Sequence, residues 1–93
     1  MILEIVSPEA KLFSGEVTSV TLPGVDGSFQ ILNNHAPIVS ILEKGVIKIA
    51  AANLTLTKDV ASKFTKLDAQ NYTLEIHSGT VEMKDNKVIV LVD

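Results

Sequence analysis

Apolar and polar residues alternate along most of this chain, with a period of two. Neighbouring side chains of an extended strand point to opposite faces, so this period predicts β-strands, and the frequent Val, Ile and Thr residues favour them further. The runs lie at Ile2–Ser7, Val17–Leu22, Val46–Ala50 and Val88–Val92. Both parities are apolar in the last run, which predicts a strand covered on both faces.

Turn-forming residues separate the strand runs. Breaks are indicated at Ser7–Glu9, Gly15, Pro23–Gly24, Asp26–Gly27, Asn33–Pro37, Lys44–Gly45 and Lys84–Lys87, the last as a tight hairpin. A spacing of about 8–12 residues between turn signals is typical of a β-sandwich or barrel and not of βαβ units. We therefore predict an all-β fold, a flattened sandwich or barrel.

One segment departs from this pattern. Between Thr57 and Gln70, the apolar residues Val60, Phe64 and Leu67 follow a helical spacing, with Thr57 or Asp59 as a candidate N-cap. A long, twisted hairpin is the alternative interpretation. The first interpretation predicts a short helical excursion around residues 57–70.

The apolar content of the chain is high for a domain of this length. The chain has 93 residues, which suits one domain with a thin core. Apolar residues make up 46% of it, and the mean hydropathy is +0.33. Either the core is simply rich in Val and Ile, or some apolar surface meets a partner, and the composition leaves both open.

Charge and cysteine content exclude several classes. The net charge is −3 and all eight basic residues are Lys, so no basic stripe is available for nucleic acid. Without Cys, the chain has no disulfide framework and no thiolate metal site. No apolar run reaches the roughly 18 residues of a membrane-spanning helix, and the first residues lack the basic region of a signal peptide. We expect a cytosolic or peripheral protein.

No constellation of side chains predicts catalysis. His35 and His77 are the two imidazoles, and they fall in different predicted elements without nearby acidic ligands. The carboxylates are scattered singly, and no Ser lies in a nucleophile-elbow pattern. Gly24–Gly27 lacks the Lys-Ser/Thr pair and the helix of a phosphate loop, so it predicts a turn. We expect no catalytic residue, no cofactor and no metal.

Several blocks of the sequence resemble, in family order, the N-terminal domain of the epsilon subunit of F-type ATP synthases. They are Leu3–Glu9 with Leu12–Val17, Val20–Gly27, Ile31–Val39, Lys44–Ile49, and Ser78–Met83 with Asn86–Leu91. The most specific is the His-Ala-Pro block at His35–Pro37. Together the blocks cover residues 2–51 and about 72–93.

The resemblance implies two packed β-sheets of about ten strands, and a role outside catalysis. Domains of this family sit at the foot of the central stalk of a proton-translocating synthase, where they pack on the gamma subunit and touch the c-ring. They turn with both, and the alpha and beta subunits carry the catalytic sites. The resemblance thus implies a peripheral position on the cytoplasmic face of the cell membrane, held there only through the complex.

The resemblance also implies two contact surfaces. The residues expected to face the c-ring, as polar loop tips at one end of the sandwich, are Gly24, Asp26, Gly27, Ser28, Asn33, Asn34 and His35. The residues expected to face gamma, as small and aliphatic side chains of a sheet face, are Val39, Ile41, Val81 and Met83.

The sequence departs from the family pattern in three places. Ser28 stands where an acidic residue often follows the turn glycine, and residues 54–70 are longer than the usual hairpin. The sequence stops at Asp93, where many relatives continue into a two-helix domain, so a single domain over residues 1–93 is expected. A generic ligand-binding β-sandwich is the main alternative, and a small hydrolase that uses His35 is a third.

Overall fold

The computed structural model describes residues 1–52, 54, 56 and 58–93 and confirms the all-β fold. Its strands are β1 (Ile2–Val6), β2 (Lys11–Glu16), β3 (Ser19–Gly24), β4 (Gly27–Leu32), β5 (Ile38–Leu42), β6 (Gly45–Ala50), β7 (Phe64–Asp68), β8 (Asn71–Ile76), β9 (Gly79–Lys84) and β10 (Lys87–Val92). A single helical turn, α1 (Lys58–Ala61), precedes β7.

The ten strands form two layers that join at their margins. The first sheet has the order β2-β1-β10-β9-β5, and the second has the order β4-β3-β6-β8-β7. One residue pair, Gly24 with Leu42, links β3 to β5 and so connects the layers on one side. The short passage from β2 into β3 connects them on the other side. The result is the flattened barrel that the turn spacing predicts.

A parallel pair lies at the centre of the first sheet. β1 runs parallel to β10, with Leu3 opposite Val88 and Ile5 opposite Val90, whereas the other strand pairs are antiparallel. These four side chains are completely buried. Full burial of an aliphatic side chain stabilises a fold by about 1.5–3 kcal/mol relative to exposure, so this pair anchors the first sheet to the core.

The core fills the space between the two layers with aliphatic side chains from inward-facing positions. The second sheet contributes the completely buried residues Val20, Leu22, Ile31, Ile47 and Ile49. At the margin, the rings of Phe13 on β2 and Phe64 on β7 meet with centroids 6.5 Å apart and a tilt of 57°. This aromatic contact brings the outer strands of the two layers together.

Two of the predicted turns lie inside strands. Gly15 belongs to β2, and Pro23–Gly24 ends β3, so the tight turn is the pair Val25–Asp26. Gly24 is needed for packing, because a Cβ there would lie 2.8 Å from the ring of Phe29. Turn-forming residues therefore do not distinguish a turn from a crowded strand position. The hairpin at Lys84–Lys87 is confirmed.

The helical prediction for residues 57–70 is largely wrong. Helix occupies Lys58–Ala61, and from Phe64 the chain is a strand that forms a hairpin with β8. Leu67, the third residue of the supposed helical stripe, is exposed on that strand. Thr57 and the side chain of Asp59, the two candidate N-caps, lie outside the described residues. Pairing with β8 and burial of Phe64 outweigh a stripe of three apolar residues.

The prediction that β10 is covered on both faces is also wrong. Val88, Val90 and Val92 are buried, but Leu91 is 52% exposed and Ile89 is partly exposed. Nothing in the described part of the chain covers this outer side, so an apolar surface faces solvent.

Candidate partner-binding surface

The outer side of the first sheet carries exposed or partly exposed aliphatic side chains on three of its strands, β1, β5 and β10. We call it the apolar face and define it by the outward side chains of Val6, Val39, Ile41, Ile89 and Leu91. Val39 is 76% exposed and Ile41 is 62% exposed, both far above the exposure of core aliphatics. Contiguous apolar surface of this kind marks sites of protein interaction more often than isolated exposed residues do.

Strand register arranges the apolar face in two rows. In one row Ile41 lies opposite Thr80, which lies opposite Leu91, which lies opposite Val6. In the other row Val39 lies opposite Glu82, which lies opposite Ile89. Directly opposed side chains are about 4.5–5.5 Å apart at Cβ, so each row is a chain of contacts across the sheet.

Two shallow cavities open on the apolar face. The larger, of about 470 Å³, lies where β1, β5 and β10 end, and Val6, Pro8, Ile41 and Leu91 contribute to its lining. The smaller, of about 270 Å³, is lined by Val39, Thr80, Val81, Glu82, Ile89 and Leu91. Thr80 and Leu91 border both cavities, so the two lie side by side.

A charged cluster borders the apolar face at the other edge of the sheet. The Glu4 carboxylate lies 3.0 Å from Lys87 Nζ and 3.1 Å from Lys11 Nζ. Hydrogen bonding to Lys87, and then to Lys11, lowers the pKa of Glu4 below its ordinary value of 4.5. The charge of Glu4 is thus compensated within the chain.

The structure divides the four residues predicted to face gamma. Val39 and Ile41 point outward from β5, as expected of a contact surface. Val81 and Met83 point inward and are each 1% exposed, so their side chains belong to the core and the prediction for these two is corrected. The outward positions of β9 are Thr80, Glu82 and Lys84, which share the opposite parity.

The residues predicted to face the c-ring do not lie together. Gly24 pairs with Gly27 at one end of the β3–β4 hairpin, whereas Ser19 pairs with Leu32 at the other. Asn33, Asn34 and His35 follow Leu32, so a strand of six residues, about 17 Å long, separates them from the Val25–Asp26 turn. The prediction that both segments share one end of the sandwich is therefore wrong.

The end that carries the Val25–Asp26 turn adjoins the larger cavity. We call it the turn end. Val25 N–H donates to the Ile41 carbonyl at 3.2 Å, and Glu43 N–H donates to the Pro23 carbonyl at 2.9 Å. These bonds hold the turn against the end of β5, next to the apolar face. Val25 itself is 50% exposed, and Asp26 and Ser28 are exposed beside it.

The opposite end is held by asparagines. The backbone N–H of Asn34 donates to Asn86 Oδ1 at 2.7 Å, which joins the segment after β4 to the β9–β10 turn. Asn33 Oδ1 accepts a hydrogen bond of 2.9 Å from the Met1 amino group. Asn34, Asp85 and Asn86 adopt φ values of 62°, 53° and 59°, a region that Asn and Asp tolerate better than most residues. Sequence reasoning missed Asn86 as a partner of this segment.

Neither histidine belongs to a reactive cluster. His35 is exposed, and its Nδ1 lies 2.7 Å from the carbonyl oxygen of Ala36, a contact within the loop. His77 is exposed just after β8. Among the described residues, no three His, Cys, Asp or Glu side chains are placed to hold a metal ion. The described residues offer contact surfaces, and among them no acid, base or nucleophile is positioned as in an enzyme site.

The aromatic side chains also face the interior. Phe13 and Phe64 are buried, and Phe29 and Tyr72 are partly buried and pack against the core. These four are all the aromatic residues of the chain, which has no Trp. A sugar-stacking platform, which the alternative ligand-binding interpretation would need, is therefore not built from them.

Comparison with known proteins identifies the family. All 93 residues match the family described as ATP synthase, Delta/Epsilon chain, beta-sandwich domain. The chain belongs to this family. The beta-sandwich domain of this family is a non-catalytic part of ATP synthase.

Individual relatives support the assignment. The ATP synthase epsilon chain of Chlorobium limicola is 35% identical over 91 residues, which cover 98% of this chain and 86% of the relative. The epsilon chain of Campylobacter fetus is 38% identical over 91 residues, again 98% of this chain but 59% of the relative. The chain thus spans nearly all of one relative and little more than half of the other.

Solved structures show the same fold. A chain from the central stalk and c-ring of the Tetrahymena thermophila mitochondrial ATP synthase matches with a TM-score of 0.67 and 17% identity, over 98% of this chain and 61% of that one. A chain from the Euglena gracilis mitochondrial ATP synthase matches with a TM-score of 0.77 and 16% identity, over 99% of this chain and 49% of that one. In the described part of this chain, none of the helical structure is long and apolar enough to cross a bilayer.

Proposed function

We propose that this chain is a structural coupling domain in the central stalk of a proton-translocating F-type ATP synthase. It binds the gamma subunit with the apolar face and approaches the c-ring with the turn end. The observation that carries the proposal is the open apolar face on a chain that belongs to the ATP synthase epsilon family. Its attachment to the membrane, on the cytoplasmic face, is through the complex.

The arrangement of residues on the apolar face resembles that of a protein–protein interface. Its exposed aliphatics lie on β5, β10 and β1, and the paired charges of Glu4, Lys11 and Lys87 lie beside them on the side of β2. Interfaces have this plan, with an apolar centre that loses water and a polar rim that stays wet. The rigid β-sheet beneath it fixes the shape of the surface before the partner arrives.

The turn end suits the second contact because it shares an edge with the apolar face. The hydrogen bond from Val25 N–H to the Ile41 carbonyl joins the turn to the strand that carries the most exposed apolar residues. Strands that join the two contacts hold them in a fixed position relative to each other. Asp26, Gly27 and Ser28 belong to this surface, Gly24 is buried beneath it, and Asn33, Asn34 and His35 lie at the opposite end.

The gamma contact is tested by a substitution at Ile41, one of the two most exposed side chains of the apolar face. We expect Ile41→Asp to weaken binding to purified gamma by on the order of 2 kcal/mol or more, because desolvated apolar anchors carry most interface energy. Lys84→Ala, at the far end of β9, should change it by less than about 0.5 kcal/mol. Calorimetry on folded variants measures both values. Equal effects, or a larger loss at Lys84, would place the binding face elsewhere.

The c-ring contact is tested by comparing the two ends of the β3–β4 hairpin. We expect Val25→Asp to reduce capture of the chain by a detergent-solubilised c-ring by about tenfold, because it places a charge where an apolar side chain meets the partner. His35→Ala, at the opposite end, should leave capture unchanged within about twofold. Gamma binding serves as the control for folding. A greater loss from His35→Ala would show that the asparagine-bearing end faces the ring.

A further inference from the structure

A single carboxylate lies inside the apolar face. Glu82 points outward from β9, and its neighbours in register are Val39 on one side and Ile89 on the other. All three residues line the smaller cavity, of about 270 Å³. Glu82 therefore has an apolar neighbour on each side within its row, and Ile89 separates it from Glu4 of the charged cluster.

The chain does not neutralise this carboxylate. The three ion pairs among the described residues involve Glu4, Glu16 and their partners, and Glu82 belongs to none of them. Lys84 is two residues further along the same strand, opposite Lys87, and Lys87 is bound to Glu4. The side chain of Glu82 is exposed, so solvent water screens its charge while the apolar face is open.

Covering the apolar face removes that water. Burying an ionised carboxylate without a compensating charge costs several kcal/mol, whereas a well-placed cation with good hydrogen-bond geometry offsets much of the loss. A partner that covers both Val39 and Ile89 cannot avoid Glu82, because Glu82 lies between them. The charge of the surface therefore constrains the chemistry of whatever binds it.

We propose that the partner of the apolar face presents a basic side chain to Glu82, beside an apolar side chain that fills the larger cavity. Arginine suits the position best, because its planar fork can bind a carboxylate with two parallel hydrogen bonds. The inference rests on the proposed function, in which this partner is gamma. Glu82 then determines specificity: a surface that is merely apolar fits the two cavities but leaves the carboxylate buried and unpaired.

A second copy of this chain fits less well. A two-fold contact applies the same patch to itself, so a contact centred on the apolar face would bring two Glu82 carboxylates together. Like charges placed directly opposite each other destabilise the contact. The chemistry therefore favours a partner with a different, basic surface.

Neutralising Glu82 distinguishes the possibilities by the direction of the effect. If gamma supplies a cation, Glu82→Gln should weaken binding by about tenfold or more, because the cation loses its partner. If gamma supplies none, the same change should tighten binding, because it removes a buried unpaired charge. Glu75→Gln is the matched control, since Glu75 is an exposed carboxylate of β8 on the second sheet. Calorimetry should be performed at low and high salt, and the loss should shrink as salt rises.

The remaining outcomes separate this inference from the proposed function. If Ile41→Asp weakens binding to gamma but Glu82→Gln leaves it unchanged or tighter, the inference is overturned. Gamma then remains the partner. If neither Ile41→Asp nor Glu82→Gln changes the affinity for gamma, the proposed function itself is overturned. Sedimentation equilibrium should show a monomer, and a dimer that Ile41→Asp disrupts would overturn the assignment to a basic partner. Circular dichroism of every variant establishes that the fold is retained.

Discussion

At the scale of single residues, Glu4 shows how a surface charge is tied into the first sheet. Its carboxylate accepts hydrogen bonds from Lys87 on β10 and Lys11 on β2, so one side chain connects three neighbouring strands. Exposed ion pairs contribute little individually, and water and salt screen them. The arrangement nevertheless makes folding depend on pH in a direction that can be derived.

Acid should remove the contribution of Glu4. Its pKa in the folded chain lies below the ordinary value of 4.5, so the contribution is complete above that value and is lost as the pH falls through the folded pKa. We expect the free energy of unfolding of the native chain to exceed that of Glu4→Gln by more at about pH 6 than at about pH 3. Urea denaturation at each pH measures the difference.

Salt and a second carboxylate provide the controls for Glu4. The excess should shrink in about 1 M salt, where the screening length is about 3 Å. Glu43→Gln removes an exposed carboxylate outside the three ion pairs of the described residues, and it should not reproduce the effect. A difference between the native chain and Glu4→Gln that does not change with pH would contradict the assignment.

Residue positions also show what sequence reasoning can and cannot reach. The period of two fixes that Val39 and Ile41 share a face, and that Val81 and Met83 share a face. It does not fix which face turns inward in β5 and β10, where both parities are apolar, but in β9 the charged residues Glu82 and Lys84 indicate the outward parity. Val39 and Ile41 were thus predicted on the correct side, and Val81 and Met83 on the wrong one. The choice depends on neighbours brought together from distant parts of the chain.

At the scale of elements, the two hairpins illustrate different kinds of turn signal. Lys84–Lys87 was predicted correctly because Asp85 and Asn86 suit the positive φ values of a two-residue turn. Pro23–Gly24 was misplaced because Gly24 is required by the ring of Phe29 and not by a turn. The helical prediction for residues 57–70 failed beyond Ala61, because β7 is a strand at the sheet margin and carries little internal periodicity. Turn residues therefore predict a turn correctly where the backbone conformation is the reason for the residue, and they mislead where packing is the reason.

Asn86 should contribute both conformation and a hydrogen bond. We expect Asn86→Gly to lower the free energy of unfolding by about 1 kcal/mol, because glycine keeps the positive φ but loses the bond to Asn34 N–H. Asn86→Ala should cost about 1–2 kcal/mol more, because alanine is strained at that φ. Chemical denaturation of the three proteins measures both steps. Equal stabilities of the Gly and Ala variants would contradict the role of backbone conformation.

At the scale of the whole molecule, one core serves two sheets. Buried residues of both layers pack together, so neither layer retains its apolar interior when the other is lost. Domains below about 150 residues with a single core usually unfold in one cooperative step. The apolar face and the turn end should therefore be lost together in one unfolding transition, although they lie on different parts of the fold.

Cooperativity can be measured with the single tyrosine. Val90→Ala makes a cavity in the first sheet and should lower the free energy of unfolding by about 2 kcal/mol. Tyr72 lies in β8 of the second sheet, and the chain has no Trp to obscure its fluorescence. We expect Tyr72 fluorescence and far-ultraviolet circular dichroism to give one transition in urea, shifted equally by Val90→Ala. A Tyr72 transition that does not move would show that the second sheet unfolds separately.

The parallel pairing of β1 with β10 has a consequence for synthesis on the ribosome. β1 is made first, but its central partner is the strand that ends at Val92, so the middle of the first sheet cannot form until residues 87–92 have left the exit tunnel. The second sheet needs nothing beyond β8, whose last residue is Ile76, and can pair earlier. Until β10 has left the exit tunnel, the apolar side chains of β1 remain available to chaperones. The fold of this domain is completed only after that point.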